Sequence, residues 1–207
     1  MTPADAWTAL LEGNQRFTRG DRAHPNQDAH RRAELTSEQN PFALLFGCAD
    51  SRVAAEIIFD RGLGDLFVVR TAGHVIDDAV LGSIEFGVEV LDIPLIVVLG
   101  HDSCGAVRAA VDVHNGGDRP GGHIDSIVDR VLPSLGLGES AAAGDERTID
   151  SLVARHTSHT TRELVQVSPM IAAAVEAGTC AVVGATYALR DGRVTLIEFV
   201  GGIDTLA

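Results

Sequence analysis

Apolar and polar positions follow two distinct rhythms along this chain. Five short runs are continuously apolar: Phe42–Phe46, Leu66–Val69, Pro94–Leu99, Cys180–Tyr187 and Val194–Phe199. Runs of that length with no polar face predict strands buried on both sides of a sheet. Between most of them the period becomes helical. Val80, Leu81, Ile84, Val88 and Leu91 share one face of a helix predicted over 77–91, whose first turn carries acids where the helix dipole favours them. Ala106, Val107, Ala110 and Val111 predict another helix starting near Cys104, and residues 149–165 and 169–177 read as two more. Trp7, Leu10, Leu11, Asn14 and Phe17 predict an amphipathic helix over 3–18, beginning near Pro3.

Strands alternating with helices imply an α/β fold, with a mostly parallel central sheet covered by helices on both faces and an N-terminal helical arm. Gly20 to Asn40 is polar and contains Pro25, which predicts an irregular connector, so residues 1–40 form arm plus connector. An arm of this kind would suit packing on a neighbouring subunit. Gly136 to Arg147, rich in Gly, Ala and charge, reads as a mobile surface loop. The 207 residues fit one domain, 1–207.

Charge narrows the partners. With 16 basic and 29 acidic residues the formal charge is -13, which repels phosphate backbones, so nucleic acid is not an expected partner. The longest strongly apolar run, Ile93 to Leu99, is too short to span a bilayer, and no membrane partner is expected. Met1 to Leu11 lacks the basic and apolar regions of a secretory signal. Three cysteines, two of them among other polar residues, do not suit a disulfide framework, which favours a reducing cytoplasm.

Those two cysteines open and close the chemistry. Cys48-Ala-Asp50-Ser-Arg52 follows the first strand, and His101-Asp-Ser-Cys104 follows the third. Both motifs thus lie at carboxyl ends of buried strands, where open parallel sheets bind ligands. Two thiolates and one imidazole suit zinc, and three protein ligands leave the open position of a catalytic site. Cys104 at a helix N-terminus would have its sulfur kept ionised by the dipole. Each residue alone also has an ordinary reading: a core cysteine, or a surface ion pair between Asp50 and Arg52. His156 and His159, three apart on a helix, are expected on a solvated face. His74 stands near motif-like sequence as a candidate proton relay, and Cys180 is expected in the core.

Cys-x-Asp-x-Arg followed by His-x-x-Cys resembles the signature of the β-class carbonic anhydrases. The likeness extends through Gly47 to Glu56, Phe67 to Gly73, Gly82 to Glu85 and Gly100 to Gly105. It implies that Cys48, His101 and Cys104 hold zinc and that Asp50 and Arg52 form the catalytic dyad, with Asp50 a fourth ligand in a closed, low-pH form. It further implies a pocket for carbon dioxide and bicarbonate lined by Gln39, Phe67, Phe86 and Gly105, the two phenylalanines reaching it across a dimer interface. A homodimer or homotetramer is the implied assembly. Some family members carry Trp where Leu45 stands, as part of an allosteric bicarbonate site, and that site is not expected here.

The implied reaction is reversible hydration of carbon dioxide by a zinc-bound hydroxide. Two thiolates leave the metal centre formally neutral, so its water should titrate somewhat above ~7, the value of a three-histidine site. Other readings differ in kind: a related zinc hydrolase acting on carbon disulfide or carbonyl sulfide, a cysteine hydrolase using Cys104 and His101, a thiol redox sensor, or a non-catalytic zinc protein.

Overall fold

The computed structural model describes residues 1–136 and 146–203; the expected loop lies almost wholly outside them. Five strands form one sheet: β1 (Ala43–Cys48), β2 (Leu66–Thr71), β3 (Leu95–His101), β4 (Ala181–Tyr187) and β5 (Val194–Val200). Their order is β2-β1-β3-β4-β5. The first four run parallel, and β5 closes the edge antiparallel to β4, with a register shift at Gly184/Ala185. The mostly parallel sheet expected from the apolar runs is present, and β1 and β3 are buried along their whole length.

Alternate residues of each strand feed opposite faces. On one face Leu45, Val97, Leu99 and Val183 pack with Ala6, Trp7 and Leu10 of helix α1 (Pro3–Arg19) and Ile58 of the short helix α3 (Ala55–Ile58). On the other, Leu44, Phe46, Ile96, Val98 and Val182 meet α4 (Asp78–Glu89), α7 (Glu146–Val167) and α8 (Pro169–Glu176). A third cluster joins α5 (Gly105–His114), α6 (Ile124–Leu135) and α7 beside Cys48 and Cys104.

Local chemistry explains the boundaries. Thr2 and Asp5 form a reciprocal capping box at the start of α1, Pro3 stands in its first turn, and Gly20 ends it in the left-handed region at φ 76°. Ala6, Trp7 and Leu10 on the apolar face of α1 are buried in this chain's own core. The connector is not wholly irregular: Asp28 accepts from the Arg31 amide at 2.8 Å and caps α2 (Ala29–Glu34), a helix with no buried residue and hence no apolar period. Helix α6 escaped the sequence reading because Pro133 interrupts its pattern of Val128, Val131 and Leu135.

Helix α7 approaches the sheet unusually closely. A Cβ at Gly100 of β3 would lie 2.2 Å from Thr157 Oγ1, and one at Gly184 of β4 would lie 2.5 Å from Thr161 Oγ1. Two glycines therefore let polar α7 residues lie on the strands, which places His156 deep in the molecule.

Candidate metal centre

Cys48 is the last residue of β1 and His101 the last of β3, and the two strands are ladder neighbours, Gly47 facing Leu99. Cys104 is the N-cap of α5. Both Sγ atoms and an imidazole nitrogen lie within 4.8 Å of one another, and all three residues are buried. The loop that carries His101 and Cys104 is pinned. Its Ser103 adopts φ +53°, a costly value for a residue with a side chain, and Asp150 accepts the Ser103 amide at 3.0 Å. The Asp102 carboxylate accepts the Leu189 amide at 3.1 Å.

The donor set fits a metal on an observation of its own. His101 Nδ1 lies 2.8 Å from the Asp102 carbonyl, which can only accept, so the proton sits on Nδ1. That leaves the Nε2 lone pair free, and Nε2 is buried with no hydrogen-bond partner among the described residues. A buried ring nitrogen that faces two sulfurs and lacks a well-formed hydrogen bond is a position a cation would fill.

Without a metal the two thiols perturb each other. A hydrogen bond from Cys104 lowers the pKa of Cys48, and the Gly73 amide at 3.4 Å from its Sγ adds to that. Cys104 is pushed up, first by its role as donor to Cys48 and then by burial. Burial opposes a charge on His101, but the neighbouring Cys48 thiolate outweighs it and raises the imidazole pKa. One ionised thiol is thus already favoured, as ligation by a soft cation requires.

Asp50 stands beside this triad, its Oδ2 4.0 Å from His101 Nε2. Arg52 grips it twice, Nε to Oδ1 at 3.0 Å and Nη2 to Oδ2 at 2.8 Å, while the Arg52 amide donates to Oδ1 at 2.9 Å. The Arg52 hydrogen bond holds the Asp50 carboxyl well below the usual range, against the effect of burial. Arg70 fixes the loop from beneath, donating to the Cys48 carbonyl at 2.9 Å and the Asp50 carbonyl at 2.6 Å.

The pocket residues are less tightly gathered. Gly105 opens α5 next to Cys104 and is exposed, as is Gln39. Phe67 and Phe86 face each other with ring centroids 6.3 Å apart. Phe67 pairs with Leu44, four positions before Cys48, which puts it about 13 Å down the strand from the thiol. Phe86 is 45% exposed on α4.

The expected solvated position of His156 is incorrect. His156 is only 2% exposed, its Nε2 lies 2.7 Å from the Gly73 carbonyl, and its Nδ1 lies 2.7 Å from Ser134 Oγ. His159 does face outward, beside Glu163. His74 is fully buried, its pKa held well below the usual value by burial, with its ring centroid 4.4 Å from that of His156. Cys180 is a buried thiol pushed up to about 12 by burial, as a core residue would be. All three cysteines are free.

Known proteins bear directly on this arrangement. The carbonic anhydrase family matches residues 43–194. A carbonic anhydrase of Mycolicibacterium smegmatis is 55% identical over 97% of this chain and 96% of its own. The chain belongs to the β-class carbonic anhydrase family. Carbonic anhydrase 2 of Mycobacterium tuberculosis is 54% identical over the same shares of the two chains. Among solved structures, the Coccomyxa beta-carbonic anhydrase bound to acetazolamide aligns with TM-score 0.70 and 26% identity, over 93% of this chain and 87% of that one. A tetrameric beta-carbonic anhydrase of Sordaria macrospora aligns with TM-score 0.73 at 23% identity, over 94% and 98%, which speaks to the fold. The enzyme's Cys48–His101–Cys104 cluster is thus the candidate metal site of a carbonic anhydrase. Among the described residues no helix is long and apolar enough to cross a membrane.

The sequence reading named the three candidate ligands and the candidate dyad and missed what holds them. Arg70 and Gly73 lay inside a quoted stretch without a role, and Asp150 and Ser134 carried no signal. Each acts through a contact with a residue distant in the chain.

Proposed function

We propose that the enzyme interconverts carbon dioxide and bicarbonate with zinc held by Cys48 Sγ, His101 Nε2 and Cys104 Sγ. The unpartnered, buried Nε2 of His101 facing two thiols carries this reading. Bound there, zinc would supply a Lewis acid that brings the ionisation of a water toward neutral pH.

The remaining work falls to side chains. Asp50, ionised far below neutral pH, accepts a hydrogen bond from the reacting water and so turns a lone pair toward the carbon of carbon dioxide. Arg52, bidentate on Asp50, keeps that carboxylate charged and fixed in direction. Without that grip Asp50 is near enough to His101 Nε2 to compete for the metal's open position, giving a closed form.

Carbon dioxide has no strong hydrogen-bonding handle, so its pocket should be small and mainly apolar. Gly105 adjoins Cys104 in the site's own chain, whereas Gln39 precedes β1 at the end opposite Cys48. Phe67 and Phe86 lie away from that chain's thiols and would serve the site of a second subunit. The exposed Phe86 and Val90 on α4 give such a subunit an apolar face to cover, in a homodimer or homotetramer. Free cysteines at a metal site suit the cytoplasm.

The test is stopped-flow hydration of carbon dioxide by zinc-loaded protein at about pH 8.5, above a zinc-water pKa near 7. Rapid turnover that falls toward acid is expected. A zinc-replete protein without turnover would sink the proposal and move weight to carbon disulfide or carbonyl sulfide, or to a non-catalytic role.

A further inference from the structure

A buried chain of hydrogen bonds runs from α6 to a metal-site sulfur. Gly73 occupies the left-handed region, at φ 69° and ψ 18°, and His74 follows at φ +41°. A backbone N–H held in a tight turn can be aimed at an anion and stabilise it. Here the Gly73 amide points at Cys48 Sγ, 3.4 Å away.

Nothing in the sequence of this turn obliges His74 to accept a left-handed backbone, so the surroundings must enforce it. The Gly73 carbonyl lies 2.7 Å from His156 Nε2. The His74 ring packs on the His156 ring, and Phe46 meets the His74 ring edge-on at 6.4 Å. His156 is therefore in contact with both left-handed residues.

The proton positions follow from chemistry. Burial lowers the His156 pKa to about 4, so the ring is neutral and carries one proton. A carbonyl can only accept, so Nε2 holds that proton and donates it to the Gly73 carbonyl. Nδ1 must then accept, and its partner is the Ser134 hydroxyl, whose Oγ lies 2.7 Å from Nδ1 and 2.6 Å from the Val131 carbonyl, so that its one proton is shared between the two. The Gly73 carbonyl thus fixes the tautomer, and Ser134 holds the ring from behind at Nδ1.

We infer that His156, with Ser134 behind it, is a positioning residue that keeps the Gly73 amide on the Cys48 thiolate and so sets the donor strength of that ligand. This rests on Cys48 being a zinc ligand, as proposed above. An N–H donated to a ligating sulfur spreads its charge, and losing such outer partners weakens metal sites by about 10- to 100-fold.

The test uses the full chain, read by chelator competition for zinc and by the thiolate-to-metal charge-transfer band of the cobalt-substituted protein. His156→Phe fills similar space without the donor, and should lose zinc affinity about 10- to 100-fold and shift the band. His156→Gln, which can still reach the Gly73 carbonyl, should restore most of both. Ser134→Ala leaves the imidazole but removes its partner at Nδ1, and should move both readouts in the same direction by less. Should His156→Phe fail to fold by circular dichroism, the Gln and Ala variants carry the test. Wild-type affinity and an unshifted band in His156→Phe, or in Ser134→Ala where the first does not fold, would overturn the inference. A wild-type protein that lacks the band altogether would instead overturn thiolate ligation itself, so the two failures are distinguishable.

Discussion

Replacing Gly73 by alanine tests the turn from the backbone side. A Cβ there would lie 2.7 Å from the Ala106 Cβ, 3.5 Å from Val131 Cγ2 and 3.9 Å from Ile127 Cγ2. Two costs add. A side chain at φ 69° costs about 1–2 kcal/mol, and overpacking a filled core costs about 1–3 kcal/mol. The expected loss is therefore about 2–5 kcal/mol, a large share of a marginal stability. Strain can be relieved by pushing the first turn of α5, which carries Cys104 at its cap, or by turning the Gly73 amide away from Cys48. One route shifts a proposed ligand and the other strips a hydrogen bond from one, so zinc affinity should fall as well. The assay is urea denaturation of the zinc-free protein, because bound zinc would add its own stabilisation by mass action. Ala106→Gly in the same chain should recover the packing part and leave the backbone part, a coupling of about 1 kcal/mol or more. A zinc-free Gly73→Ala protein within about 0.5 kcal/mol of wild type, the usual range for a harmless surface change, would refute the reasoning.

Three further outcomes are expected. Arg52→Gln should cost about 100-fold in hydration rate by letting Asp50 drift, since misplacement near 1 Å carries such a penalty. Asp50's pKa would rise only toward 3.8, so the loss should be the same across pH 7–9, and rescue by raising pH would contradict a purely orienting role. His156 falls from 6.5 to about 4 on folding, so the unfolded chain binds more protons between those values. Its contribution is complete above pH 6.5 and lost as pH drops toward 4, up to about 3 kcal/mol; urea titrations of zinc-free wild type and His156→Gln should converge in that window. Phe86→Arg on α4 should shift the protein to monomer in sedimentation and lower activity, and a monomeric wild type of full activity would defeat the proposed role of a second subunit.

Much of the architecture could be read from residue pattern because buried parallel strands leave no polar face. The apolar runs located all five strands, although β1 and β3 extend further, to Cys48 and His101, since the functional residues end the ladders. The ligands were legible for the same reason, as two short motifs each directly after an apolar run. Their support was not. Helix α7 buries His156, Thr157, Thr160 and Thr161, a face that any polarity pattern assigns to solvent. Gly100 and Gly184 invert that rule by clearing room on the sheet, and neither glycine reveals in sequence which helix will fill it. The direction of β5 was equally hidden, because an apolar edge strand reads alike in both senses.

The pairing of β1 with β3 has a consequence for when metal can be acquired. During synthesis Cys48 emerges well before His101 and Cys104, and β2 with α4 must be made between them. A nascent chain offers at most one early thiol, then a lone His-x-x-Cys, and neither alone supplies the three donors of the cluster. High affinity arrives only when the two strands zip together, a long-range event and so a slow one. On the proposed ligation, metal loading should therefore mark the pairing of β1 with β3, and a chain stalled before β3 would carry no complete ligand set.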